Sequence, residues 1–349
     1  MEVSSHSQRL IVSTSLNRQE REDVIIFLKK LKYQPHYNHP DWAEFVEPYK
    51  RPIFFRFYED DMVSGFAIVF ERMLFCVVKY GPLALDHRHI PGYIDQIVSN
   101  LKARGFGLVT FQLPFTIQEG SMLFNPLVLT SNFSFEKSAW NTVIIKLAGK
   151  TEQEVFKSFS ENHKRSIKKA LKEGLEIKFT RDKNHLDQFS GIYDEMYRRK
   201  GLVLSLPDSN MAFRKIIELD LGVFAGVFKQ GELLGGAIFV SEGEDLLYKF
   251  GATDAKYYDI PVLHVVIYEM IKYAIETRHE FVDLGGYTPN ALEGSSAHGI
   301  NRFKKWFGGE IVEYFPPIEI KLNIWNYFFV KILLKAVGLI PAGIKKLLY

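Results

Sequence analysis

The sequence predicts an α/β protein, with helices and strands mixed in the α+β manner, built from two tandem domains of one kind. Three observations carry this expectation. The chain has 349 residues, 47% hydrophobic and 24% charged, enough for about two cores. One order of strands and helix occurs twice along it. A capped, basic helical segment lies between the two occurrences.

The first occurrence opens with Pro52-Ile-Phe-Phe-Arg-Phe-Tyr, an aromatic-rich run that reads as a strand. Glu59-Asp-Asp-Met is a polar turn, and Val63-Ser-Gly-Phe-Ala-Ile-Val-Phe returns as the second strand of a hairpin. Phe75 to Tyr80 gives a third strand, stopped by Gly81-Pro82. A helix follows over 91–103, where Ile94, Ile97, Val98 and Leu101 recur at helical spacing and Pro91 suits the first turn. Gly105 ends the helix, and Gly107-Leu-Val-Thr-Phe-Gln-Leu is a further strand.

The second occurrence repeats that order. Gly222-Val-Phe-Ala-Gly-Val-Phe, the turn Lys229-Gln-Gly-Glu and Leu233-Leu-Gly-Gly-Ala-Ile-Phe-Val form the hairpin. Leu246-Leu-Tyr-Lys-Phe-Gly, a helix over 261–277 and the strand Glu280-Phe-Val-Asp-Leu follow. Gly65, Ala67, Ile68, Lys79 and Gly81 meet Gly235, Ala237, Ile238, Lys249 and Gly251, each 170 positions later. After the helix the offset is about 173, one helical turn more. Five identities in one order of elements point to an internal duplication. Hairpin, strand, helix, strand is the order of the GNAT acyltransferase core, and two tandem GNAT-like domains are the expected architecture. Likeness of fold leaves the chemistry open.

Between the copies a single helix is expected over 152–173. Thr151 and Glu154 have the spacing of a capping box, and Gly174 stands where a helix stops. The domains are therefore drawn as 1–150 and 151–316.

Composition narrows the function classes. A net charge of +3 gives no global argument for a nucleic-acid binder. Cys76 is the one cysteine; among apolar neighbours it is expected to be a buried, inert thiol. The N-terminus lacks the charged start and apolar run of a signal peptide, and no run of about 18 uncharged apolar residues occurs. A cytoplasmic, monomeric protein is the expectation.

Lys164, Arg165, Lys168, Lys169 and Lys172 recur at spacings of three and four and share a helix face. Such a face is either solvated surface or the wall of a groove for a phosphate-rich ligand, a diphosphate or an RNA backbone. Asp283, Gly285 and Gly286 stand where a buried strand breaks into a loop, and glycines there permit a tight turn or close approach to a ligand. The loop 287–299 is long, which marks function or mobility. Ile300-Asn-Arg-Phe-Lys-Lys-Trp-Phe-Gly-Gly reads as a short amphipathic helix. No metal-ligand spacing, nucleophile elbow, Walker loop or dinucleotide fingerprint occurs, and His36 and His39 read as structural. The nearest match to a coenzyme A loop, Arg104-Gly-Phe-Gly-Leu-Val, leads into a strand, so acyl-CoA is not the expected donor. No cofactor or metal is expected.

Three segments together resemble the Fem (FemABX-type) family of peptidoglycan bridge-forming aminoacyltransferases. They are Asn162-His-Lys-Arg-Ser-Ile-Lys-Lys-Ala-Leu-Lys-Glu-Gly-Leu-Glu-Ile, Val282-Asp-Leu-Gly-Gly-Tyr and Gly299-Ile-Asn-Arg-Phe-Lys-Lys-Trp-Phe-Gly-Gly. His39-Pro-Asp-Trp-Ala and the Tyr80-Gly-Pro turn fit as well. The resemblance spans nearly the whole chain and implies twin GNAT domains, with residues 317–349 packing back on the first. Members with a long coiled-coil arm exist; this chain has no room for one. The resemblance implies an aminoacyl-tRNA donor and, as acceptor, a stem-peptide amine of a UDP- or lipid-linked muropeptide. It gives Phe303 and Lys304 the catalytic position, Arg199 (with Arg198 as rival) the diphosphate, and Tyr257 or Tyr258 the nucleotide. The implied chemistry is aminolysis of an ester, with Lys304 facing the developing oxyanion and Asp283 a candidate base. An N-acyltransferase acting on a surface sugar or lipid amine, fed by acyl-CoA or a carrier protein, is the alternative.

From Ile324 to Tyr349 the chain carries four lysines and no acid. A helix there could lie peripherally on the inner face of the plasma membrane. Packing against the first domain is the other outcome.

Overall fold

Both repeated segments fold into an antiparallel hairpin followed by a parallel strand pair, as their patterning requires. The computed structural model describes residues 8–46, 52–72, 74–124, 133–135, 141–201 and 208–338. The chain divides into two units, Met1–Ala139 with Tyr314–Tyr349, and Trp140–Glu313.

The first unit contains β1 (Gln8–Ser13), α1 (Arg18–Leu28), α2 (Pro40–Val46), β2 (Pro52–Glu59), β3 (Met62–Arg72), β4 (Phe75–Lys79), β5 (Leu83–Ala84), α3 (Ile90–Ala103), β6 (Leu108–Gln112), α4 (Ile117–Leu123) and β7 (Phe133–Phe135). From the far end of the chain it takes β15 (Ile318–Lys321) and α11 (Ile324–Gly338). The sheet order is β1-β2-β3-β4-β6-β15-β7, with β5 beside β3. Alternate residues of β2 serve opposite faces. Ile53, Phe55 and Phe57 pack with Ile94, Ile97 and Leu101 of α3, while Phe54 and Tyr58 pack with Val24 and Phe27 of α1. A strand covered on both sides reads as a continuous apolar run, which is why its alternation is hidden in the sequence.

The second unit contains β8 (Asn141–Lys146), α5 (Glu152–Ser158), α6 (Glu161–Lys172), β9 (Glu176–Thr180), α7 (Lys183–Arg199), α8 (Ser209–Glu218), β10 (Gly222–Lys229), β11 (Glu232–Glu242), β12 (Asp245–Thr253), α9 (Val262–Glu276), β13 (Phe281–Tyr287), α10 (Ser296–Lys305) and β14 (Glu310–Glu313). Its sheet order is β14-β8-β13-β12-β11-β10-β9. Its core gathers Val265, Val266 and Met270 of α9 with Ala237 and Phe239 of β11 and Val282 and Leu284 of β13.

The duplication is visible in the register. Both hairpins slip at the same place, between Phe57 and Tyr58 and between Val227 and Phe228, opposite Gly65 and Gly235. These glycines are needed for space: a Cβ on Gly65 would lie 2.2 Å from the Tyr93 ring, and one on Gly235 would lie 2.4 Å from the Ala252 carbonyl oxygen. The parallel pairs also correspond, since Phe75 meets Leu108 where Asp245 meets Phe281.

Three expectations are corrected. The single helix over 152–173 is two helices, because Phe159 is extended and Ser160 caps a new helix at the amide of His163. The boundary near 150 left residues 141–146 in the first domain, whereas β8 lies between β14 and β13 in the second sheet. The helix expected from Ile300 begins at Ser296, capped by Ser295, so the loop before it is shorter. In the C-terminal segment, β15 pairs with β6 and β7 of the first unit; residues 339–349 lie outside the described residues. Among the described residues no helix is long and apolar enough to cross a membrane.

Candidate active site

Parallel strands that part at their carboxyl ends open a crevice, and loops there are the usual place for a ligand in a mixed sheet. In the second unit β12 and β13 pair from Asp245–Phe281 to Leu247–Asp283, the last paired position. Just beyond it, β13 slips against β8 between Asp283 and Gly286. Gly285 lies in that bulge at φ +77°, a conformation that disfavours any side chain. The Asp283 carboxylate holds the turn. It accepts hydrogen bonds from the Gly285 amide at 2.6 Å and from the Thr142 hydroxyl of β8. The Gly286 carbonyl then accepts from the Lys304 ammonium at 2.7 Å. Thr142, Asp283, Gly285, Gly286 and Lys304 thus form one connected chain.

Charge in this chain is finely set. Burial pulls Lys304 down to about 8, against the opposing pull of Asp283. Burial pushes Asp283 up to about 6, while hydrogen bonds from Thr142 and Gly285 and the Lys304 charge pull the other way. Asp245, at the foot of the splay, is pushed up to about 8 by burial and by the neighbouring carboxylates, Asp283 first. An ammonium and a carboxylate that both titrate near neutrality suit a site where charge develops and protons move. Among the described residues no group of three or more acidic, histidine or cysteine side chains is arranged to hold a metal.

Phe303, beside Lys304, packs into the core of this unit. Its ring lies 5.3 Å from that of His163 and 5.1 Å from that of His264. The Phe303 carbonyl, in the last turn of α10, accepts a hydrogen bond from His163 Nε2 at 2.9 Å. The Trp306 carbonyl accepts from the Ser160 amide at 2.8 Å. The break between α5 and α6 therefore has a purpose: it presents a backbone donor and an imidazole to carbonyls that the end of α10 leaves open. In the middle of α10, the Asn301 side chain makes two hydrogen bonds to the backbone of Thr288 and ties down the preceding loop. His163 and His264 are both held below the ordinary histidine range by burial, His264 at about 4. They pack as neutral rings.

The other candidates fall into two groups. On α6, Lys164 is half-buried and pairs with Glu161 at 3.0 Å, and Arg165 bonds to Asn162. Lys168 is exposed beside Lys169, which reaches the Asp259 carbonyl. Arg199, at the end of α7, lies over the Tyr258 ring at 4.5 Å and lines a cavity of about 540 Å³ with Gln188, Glu195, Glu232 and Asp254. The Glu232 carboxylate, which lines that cavity, holds the Tyr257 phenol above its ordinary range. The structure thus joins Arg199 with Tyr258, and Lys304 with Asp283 and Gly285. Arg198, the rival for the arginine role, is paired with Glu195. Cys76 is buried and its thiol is pushed far up by burial.

Thr142, Ser160, His163, His264 and Asn301 were not singled out by the sequence. His163 stands inside the basic motif, and a histidine on the apolar side of such a helix was the available signal. Thr142 gave none, because its partner is 141 positions away.

A hydrogen-bonded ammonium at a strand splay can stabilise an oxyanion, the demand of acyl transfer. Comparisons with known proteins agree in kind. The family model described as "FemAB family" matches residues 129–206 and 227–335, more than half of the chain. The UDP-N-acetylmuramoylpentapeptide-lysine N(6)-alanyltransferase of Weissella viridescens is 26% identical over 133 residues, 38% of this chain and 39% of that protein. The lipid II:glycine glycyltransferase of Staphylococcus haemolyticus (strain JCSC1435) is 31% identical over 93 residues, 27% of this chain and 22% of that protein. The matched stretches therefore span well under half the length of these relatives. Among solved structures, FemX superposes with a TM-score of 0.76 at 16% identity, covering 92% of this chain and 99% of that one. A tandem GNAT protein from the clavulanic acid biosynthesis pathway gives 0.50 at 10% identity, covering 91% and 99%. These likenesses show the fold, the tandem GNAT-like architecture that the internal repeat predicted. With that fold and a family match over most of its second unit, the chain belongs to the FemAB family.

Proposed function

We propose that the protein is an aminoacyltransferase that moves an amino acid from aminoacyl-tRNA to the stem-peptide amine of a UDP- or lipid-linked peptidoglycan precursor. The observation that carries this reading is the Lys304 ammonium, held at the β12–β13 splay by the Gly286 carbonyl and beside Asp283. The acceptor amine attacks the ester carbonyl. A C–N bond forms and the carbonyl oxygen becomes an oxyanion, which Lys304 stabilises more than it stabilises the uncharged ester. The C–O bond then breaks, and the ribose oxygen leaves with the proton given up by the amine. Asp283 serves as a positioning group for the turn that carries the Gly286 carbonyl. Arg199 and the Tyr257–Tyr258 pair are assigned to the diphosphate and nucleotide of the precursor, and the exposed cations of α6 to a phosphate backbone. The turn before α9 reads Asp254-Ala-Lys-Tyr-Tyr-Asp-Ile-Pro and has no glycine with which to cradle a pyrophosphate. That composition favours a tRNA donor over acyl-CoA.

The test is a transfer assay with purified protein, charged tRNA and a UDP-linked muropeptide, followed by mass spectrometry. The expected product is heavier by one aminoacyl residue, and ribonuclease pretreatment of the donor abolishes it. Transfer from an acyl-CoA that is indifferent to ribonuclease would replace this reading with the N-acyltransferase alternative.

A further inference from the structure

Helix α11 is fastened to the first unit by one face. Val330 is buried with Leu108 and Phe75. Asn326 donates to the Gly105 carbonyl at 2.7 Å, and Lys331 pairs with Glu319 at 2.9 Å. The Tyr327 ring lies between the Lys321 and Lys331 ammonium groups, 5.0 and 5.6 Å away. The helix backbone approaches so closely that a Cβ on Gly107 would lie 2.5 Å from the Asn326 carbonyl carbon. Among the described residues nothing covers the opposite face. Trp325 is 80% exposed, Phe328 55%, Phe329 54% and Ile332 68%. Their spacing of three, four and seven places them on one stripe. Four large apolar side chains in one exposed row mark a surface that works against something other than water.

We infer that this stripe is a docking surface for an anionic lipid bilayer, on which α11 lies flat. The chemistry of the segment selects that occupant. From Ile324 to Tyr349 it carries four lysines and no aspartate or glutamate; with Lys331 paired to Glu319, Lys335, Lys345 and Lys346 give the composition that anionic headgroups attract. Trp settles at the level of the headgroups, and Trp, Phe and Leu form the apolar face that an interfacial helix sinks into the headgroup–acyl boundary. The 15 described residues of α11 are about 22 Å long, and among the described residues no helix is long and apolar enough to cross a membrane, which suits a helix lying in its surface. The inference stands on this surface and does not depend on the identity of the donor or acceptor. A lipid-linked acceptor would be met on such a membrane.

The test uses the full chain with vesicles of phosphatidylglycerol and phosphatidylcholine, and with phosphatidylcholine alone. The native chain is expected to sediment with the anionic vesicles and more weakly with the neutral ones. Combined Trp325→Ser, Phe328→Ser, Phe329→Ser and Ile332→Ser substitution spares Val330 and Tyr327, and should weaken binding by about tenfold or more. A second measurement does not depend on how that variant folds. Brominated lipid should quench part of the tryptophan emission of the native chain, and Trp325→Phe should lose that part. Absence of native binding, or equal binding by a folded fourfold variant, overturns the inference. So does a native dimer that the substitutions dissociate while vesicle binding is absent, since the stripe would then belong to a second copy.

Discussion

An ammonium that is to meet a nascent oxyanion must carry its charge when the substrate arrives, and burial works against that charge. Lys304 sits at this balance, drawn down to about 8 by burial and held up by Asp283. Replacement of Lys304 by methionine keeps the length of the side chain and removes the cation. Turnover should fall by about 100- to 1000-fold with the thermal unfolding profile unchanged; unaltered turnover would take Lys304 out of the mechanism. The same balance fixes a pH dependence. Activity that needs protonated Lys304 is lost as pH rises through about 8. Asp283→Asn retains an acceptor for the Gly285 amide but removes the charge that supports the ammonium. The alkaline limb of kcat should therefore move to lower pH. A limb that stays in place would show that Asp283 acts only on the turn.

At the scale of the element, α10 is held from its middle to its carboxyl end by groups on other segments of the chain. Asn301 binds the loop before it, and His163 and Ser160 bind the carbonyls at its end. His163→Phe keeps an aromatic ring among His264, Phe303 and Phe307 but leaves the Phe303 carbonyl without its donor. The expected cost is about 1–2 kcal/mol, read as a lower urea midpoint, together with reduced kcat as the Phe303-Lys304 turn loosens. An unchanged midpoint would mean that the imidazole is packing alone. These ties explain what the sequence concealed. The capping box at Thr151 and Glu154 was legible because both partners lie within one turn. The break at Phe159-Ser160 was not, because its cause is the Trp306 carbonyl, far along the chain. β14 is largely exposed and has no apolar alternation; it is a strand because β8 offers it an edge.

At the scale of the whole chain, the repeat was legible because both copies need the same two strands, the same helix and the same glycine at the hairpin slip. The difference between the copies was harder to read. In the first unit the parallel pair holds from Phe75–Leu108 through Lys79–Gln112. In the second it ends at Leu247–Asp283. Where the first copy has Gln112-Leu113, the second has Gly285-Gly286, so one pair continues straight while the other turns and opens. The charged groups gathered at that opening leave a thermodynamic signature. Asp245 is pushed up to about 8 from an ordinary 3.8, so the native state binds more protons than the unfolded state across that interval. Stability contributed by its protonated form is therefore lost as pH rises toward 8. Asp283 acts in the same sense up to about 6. His264, depressed to about 4 from 6.5, acts in the opposite sense, since there the unfolded state binds more protons. Every group other than Asp245 contributes alike to the native chain and to an Asp245→Asn variant, so the difference between the two isolates Asp245. Relative to that variant, the unfolding free energy of the native chain should fall by about 1 kcal/mol per pH unit between about pH 6.5 and about 8. The asparagine cannot ionise and so supplies the reference. Urea unfolding of both proteins across the interval gives the comparison, in which contributions from the first unit cancel. Parallel pH profiles would show that Asp245 is already ionised in the native state and that the carboxylates at the splay are better solvated than their burial implies.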